Sequence, residues 1–220
     1  MTGRTPSVHA LLWTAIFAIS FAFVEAAVVV YLRAIYYPEG FSMPLVTMAD
    51  GHVALELGRE LATLVMLLSV AWLAGRQAWE RFGLFCTAFG VWDIFYYVSL
   101  KLLLDWPTGL LDWDVLFLIP VPWIGPVFAP VLVSCVMIVC GAMIFLRVRA
   151  GVPFHPPLIS WIAAAAGILV LLYSFTHDTE ATLRHGMPAP YRPELLFIAL
   201  FLFATAFSQA LRRREPEPPS

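Results

Sequence analysis

Charge is what this chain has least of. Its 220 residues include 13 lysines and arginines and 15 aspartates and glutamates, 13% in all, about half the share of a typical soluble domain. With a formal net charge of −2 and no basic stripe interleaved with aromatics, no nucleic-acid partner is expected. Cysteine is also scarce. Cys86, Cys135 and Cys140 make an odd set with no CxxC pair, which excludes a disulfide framework and a zinc site of ordinary spacing. All three fall in apolar segments, where a thiol packs as a small hydrophobe. There is no glycine-rich phosphate loop, GxSxG elbow, HExxH, Glu-x-x-His pair, aspartate-rich DDxxD pair or histidine pair suited to haem across two helices. No cofactor is therefore assigned from the sequence.

Apolar residues fill the space. The chain is 61% hydrophobic and 15% aromatic, with a mean hydropathy of +0.83. Its apolar runs recur near the length that crosses a bilayer, so an all-α polytopic membrane bundle of about six helices is predicted. The spans are placed at about 9–33, 53–74, 82–103, 127–147, 157–176 and 194–211. At 1.5 Å per residue each reaches roughly 27–38 Å. The first run is longer than a signal-peptide core and no small-x-small cleavage site closes it, so it reads as a retained helix. Residues 1–211 are read as one transmembrane domain, and 212–220, ending in REPEPPS, as a disordered cytoplasmic tail.

The connections sort by charge. Arg4, Arg76, Arg81, Arg147, Arg149 and Arg212 to Arg214 fall at the two termini and in the second and fourth loops. Acids collect in the other three. The positive-inside rule then puts both termini in the cytoplasm, in a multi-pass protein of the cell membrane. The third loop, DWPTGLLDWDVLFLIPVPWIGPVF, carries Pro120, Pro122 and Pro126, which break any helix running into the fourth span. Val115 to Gly125 is expected as a separate interfacial or re-entrant piece, serving as a collar or as a lid. The run Ala163 to Gly167 reads as a close packing face of the fifth span.

The stretch Gly51 to Glu60, GHVALELGRE, breaks the apolar pattern. His52, Glu56 and Glu60 recur every fourth residue and so share one helical stripe, with Arg59 beside them and Thr63 continuing it. With alternating span directions, Glu25 and Glu60 both lie roughly 12 Å below the outer end of their spans and Asp93 at a similar depth, while Glu56 sits about one turn higher. Left facing lipid, each charged group costs on the order of 3 kcal/mol. A shared outer-half pocket between the first three spans, opening to the non-cytoplasmic side, is the expected solution.

Glu60, Asp93, Glu25 and Glu56 are the candidate catalytic residues. Arg59, His52, Trp92, Tyr96, Tyr97 and Lys101 are the candidate substrate-binding residues, with His52 and Lys101 at the mouth. Carboxyls in contrasting environments can divide acid and base roles, and aromatic walls can stabilise a cationic intermediate. The leading expectation is an acid–base enzyme acting on a lipophilic, lipid- or isoprenoid-like small molecule. Proton- or cation-coupled transport of a small solute, and a non-catalytic subunit of a larger complex, remain alternatives. Homo- and hetero-oligomers stay equally open. His52, Glu56 and Glu60 are a weak alternative metal set, better suited to a hard cation than to zinc.

Overall fold

A computed structural model describes residues 8–46, 48–184 and 186–212. Arg4, Arg213, Arg214 and the tail beyond 212 lie outside the described residues. The elements in order are α1 (His9–Tyr36), α2 (Asp50–Ala74), α3 (Ala78–Leu104), β1 (Trp113–Phe117), β2 (Trp123–Pro126), α4 (Phe128–Arg149), α5 (Leu158–Thr176), α6 (Thr179–Leu183) and α7 (Pro193–Leu211). Six helices are long and apolar enough to cross a membrane, α5 being counted together with α6. Their outward faces carry large apolar side chains, Leu61, Val65, Trp72 and Leu169 among them, as a multi-pass membrane protein requires. Several hydroxyls on these helices turn back onto their own backbone. Ser69, Thr87, Thr176 and Thr205 each donate to the carbonyl four residues earlier, which satisfies them where no water is at hand.

Side-chain layers show that successive long helices run in opposite directions. Ala10 and Leu11 of α1 pack with Ala71, Ala74, Leu84 and Phe145, and Ala210 of α7 packs with Ile144, Val148 and Phe154. The start of α1 and the end of α7 therefore share one end of the bundle. The hairpin β1–β2 lies at the other.

The closest pair is α3 and α4. A Cβ added at Gly83 would stand 2.6 Å from the Gly141 carbonyl oxygen, and one at Gly90 2.5 Å from that of Ser134. The two backbones touch there, and only glycine allows it. Helix α1 reaches α3 through Ala18 and Ala22, both fully buried. Helices α5 and α7 form a second pair, with Gly167 seated against the Phe203 ring. Gly167 and the buried Ala163 thus make the close face expected of the AAAAG run.

The prediction of an all-α chain is corrected at one place. Val115 to Gly125 falls within an antiparallel two-stranded hairpin, with Trp113 opposite Pro126, Asp114 opposite Gly125 and Val115 opposite Ile124. A bulge between Val115 and Phe117 then sets Phe117 opposite Trp123. Pro120 and Pro122 occupy the connection between the strands, where neither must donate to the ladder. Trp123 stacks on Phe175 of α5, Phe117 on Phe89 of α3, and Thr179 donates to the Pro122 carbonyl at 2.7 Å. Aromatic burial at both ends holds a two-stranded unit that alone would be marginal.

Candidate functional site

Only one stripe of α2 is buried: Glu56, Glu60, Thr63, Leu67 and Ala71. Its spacing is the i, i+4 and i+3 of a helix face, and it changes from acidic to apolar along its length. The acidic half meets Glu25 of α1 and Asp93 of α3 around a small cavity. That cavity, of about 50 Å³, is lined by Glu25, Arg59, Glu60 and Asp93, by Trp92, Tyr96 and Tyr97, and by Thr63. Its remaining wall is Val115, Leu116 and Phe117 of the hairpin.

Every acid has a partner. The Arg59 guanidinium reaches both Glu25 and Glu56, the latter through Nε at 2.9 Å and Nη2 at 2.8 Å. Thr63 also donates to Glu25. Asp93 accepts from Ser134 Oγ of α4 at 2.8 Å. The Leu118 amide donates to the two Glu60 oxygens at 3.0 and 2.9 Å, so the end of β1 is tied directly into the acidic cluster. Charge-assisted bonds of this kind are the strong ones.

Two charged residues that the sequence did not single out complete the arrangement. Asp114, only 3% exposed, accepts from Arg33 Nη2 at 3.3 Å and from the Tyr97 hydroxyl at 3.1 Å. Burial pushes its carboxyl up to about 6, although Arg33 and the Tyr97 hydroxyl both act to lower it. The Arg33 guanidinium lies over the Trp106 ring at 3.7 Å and the Phe41 ring at 4.3 Å. It is therefore clamped between loop aromatics while it holds the hairpin. A signal for Arg33 was available, because a cation at the end of an apolar span adjacent to an aspartate-bearing loop is poised to pair with it. Nothing local marked which aspartate.

Three of the expected site residues stand elsewhere. Glu56 is one turn above the cavity, held by Arg59 and absent from the lining. His52 is exposed and pairs through Nδ1 with the Tyr36 hydroxyl. Lys101 is engaged with Asp105 at 2.6 Å near the surface. The reason is height along the helix, since each shares a stripe with a residue of the cavity but lies one or two turns from it. His52 starts α2 before the helix packs on its neighbours, and the Lys101 stem follows the end of α3 outward. Among the described residues, no group of three or more histidine, cysteine, aspartate or glutamate side chains is arranged to hold a metal ion. His52, Glu56 and Glu60 share a stripe, yet each is turned to a different partner.

Beneath the cavity the interior is apolar, with Ala18, Phe21, Ala22, Leu67, Ala88 and Val91 forming one cluster. The cavity is thus floored by an apolar cluster and roofed by the hairpin. Such a cavity has room for a few waters, well below the several hundred Å³ of a typical ligand site.

No family model, no curated protein and no solved structure matches this chain. What it is rests on its own described residues: six helices long and apolar enough to cross a membrane, with an acidic cavity under a hairpin.

Proposed function

We propose that this protein is a membrane enzyme that carries out general acid–base chemistry on a lipophilic substrate. In this reading the termini are cytoplasmic, and the hairpin end with its cavity faces the opposite side of the cell membrane. One observation carries the proposal. Five carboxyls, those of Glu25, Glu56, Glu60, Asp93 and Asp114, gather in and beside the cavity against two guanidiniums, Arg33 paired with Asp114 and Arg59 paired with Glu25 and Glu56. Charge balance in a poorly hydrated site then calls for protons on the cluster or a cationic centre in the substrate.

Glu60 and Asp93 serve as the acid and base, because both border the free volume. Glu25 assists, and Arg59 orients Glu25 and Glu56. The Trp92 indole N–H has no partner among the described residues and supplies a donor. Tyr96 and Tyr97 provide faces for developing positive charge. A lipophilic substrate needs more than 50 Å³, so it enters by displacing Leu116 and Phe117 as the hairpin lifts.

A second reading, proton- or cation-coupled transport, is favoured by the small polar volume. The apolar cluster under the cavity weighs against it.

The test is untargeted mass spectrometry of membrane lipid extract incubated with the purified protein. Species consumed by the wild type should persist with Glu60→Gln and with Asp93→Asn, while both variants keep a cooperative thermal unfolding transition. Full turnover in both variants would remove the proposal. Solute flux into proteoliposomes driven by a pH gradient, with no lipid converted, would favour transport instead.

A further inference from the structure

A second, larger cavity shares no lining residue with the acidic one. It is a cleft of about 530 Å³ between the α3–α4 pair and the α5–α7 pair. Its floor lies near Trp79, Phe154 and Trp161, and it climbs past Cys86 and Cys140 toward Leu171 and Leu200. The contact of Gly83 with Gly141 and of Gly90 with Ser134 closes α3 against α4. That contact is a wall between this cleft and the acidic cavity, so the two volumes serve different occupants. At 1.5 Å per residue, Ser160 to Leu171 of α5 gives the cleft a height of roughly 16 Å along the bundle.

Two features mark the end of the cleft near the termini. Ser160, 4% exposed, lines the cleft there, and its hydroxyl has no hydrogen-bond partner among the described residues. A buried hydroxyl left without a partner is costly, unlike the helix hydroxyls that turn onto their own backbone. The second feature is Arg147. On α4 the cleft-lining residues Val133, Val136, Met137, Cys140 and Ile144 form a stripe, and Arg147 continues it one turn on. Its Nε, like that of Arg149, is buried without a partner among the described residues; Arg149 is in addition paired through Nη2 with Glu80 at 2.9 Å.

We infer that this cleft is a binding site for one anionic phospholipid, with an acyl chain between the helix pairs, an ester oxygen at Ser160 and its phosphate at Arg147. The chemistry of the lining selects the occupant. Aromatic and aliphatic walls accept a hydrocarbon chain, the lone hydroxyl donates to an ester acceptor, and the cation at the rim meets the phosphate. The cleft volume falls in the range of sites that enclose small ligands. The inference is independent of the acid–base reading, because no residue is common to the two cavities.

The experiment is native mass spectrometry of the full chain released from nanodiscs made of equal parts phosphatidylglycerol and phosphatidylethanolamine. The wild type should keep one phosphatidylglycerol adduct through collisional activation. Ala164→Trp and, separately, Ile168→Trp, each filling the cleft, should lose it. Arg147→Gln should lose the preference for phosphatidylglycerol over phosphatidylethanolamine, and Ser160→Ala should release the adduct at lower activation energy. Added phosphatidylglycerol should raise the Tm of delipidated wild type and leave that of the filled-cleft variants unchanged, a readout that also shows those variants to be folded. An adduct held equally by the wild type and both tryptophan variants would overturn the site. Equal retention of the two lipids by the wild type would overturn the role given to Arg147.

Discussion

Replacing Gly90 with alanine should disturb the acidic cavity without touching any charged group. The new Cβ would stand 2.5 Å from the Ser134 carbonyl oxygen and 2.8 Å from Ile138 Cγ1. Ordinary contact begins near 3.4 Å, so the helices must part by about 0.9 Å at this level, because a backbone oxygen cannot rotate aside. Asp93 and Ser134 bridge the same two helices less than a turn away, at 2.8 Å. Adding that separation stretches their bond to about 3.7 Å, beyond hydrogen-bonding range. Overpacking costs about 1–3 kcal/mol, and leaving the buried carboxyl without its donor adds about 1–3 kcal/mol. On the scale of about 2–4 °C per kcal/mol for chains of this size, Tm in detergent should fall by several degrees. The diagnostic is a double-mutant cycle with Ser134→Ala. If separation acts through the hydrogen bond, Ser134→Ala should cost much less in the Gly90→Ala background than alone. Equal costs in both backgrounds, or an unchanged Tm in Gly90→Ala, would refute the reasoning.

Other expectations follow from the charged contacts. Arg59→Gln strands Glu25 and Glu56 and should cost about 3–5 kcal/mol, the usual penalty for breaking a buried pair, read from thermal unfolding; Lys101→Ala, which severs only a surface contact, should leave Tm where it is. Leu118→Pro deletes the amide that Glu60 accepts and should raise hydrogen exchange across 113–126 well above wild type, with helix exchange unchanged. Docking of the hairpin should depend on pH through Asp114, which faces Arg33 of α1 and Tyr97 of α3, with Asp93 of α3 also near. Its carboxyl goes from an ordinary 3.8 to about 6 when buried, so docking holds the proton more tightly than the open state does. The stabilisation is therefore complete below about pH 4 and is lost as pH rises through about 6. Exchange protection of the hairpin, corrected for intrinsic rates, should be higher at pH 5 than at pH 7.5, and Asp114→Asn should remove the difference.

Hydropathy and helical period decided by themselves that six segments are long and apolar enough to span, and which stripe of α2 carries its acids inward. Both are local properties: a 1.5 Å rise and 3.6 residues per turn convert sequence spacing directly into depth and face. Glu25, Glu60 and Asp93 could be placed at one level for that reason. The tertiary structure decided how the acids are held. Leu118 reaches Glu60 across 58 positions, and Asp114 reaches Arg33 across 81, and no local pattern encodes such a meeting. The segment around Pro120 showed that a helix must break, yet its strand pairing rests on Phe89 and Phe175 from distant helices. His52 and Lys101 had the right chemistry and face, but their height on the helix and their partners, Tyr36 and Asp105, keep them from the cavity. The cleft between the helix pairs was invisible for a further reason. An apolar side chain reads the same whether it packs on a helix, faces lipid or lines a void, and only the packing of four helices separates these cases.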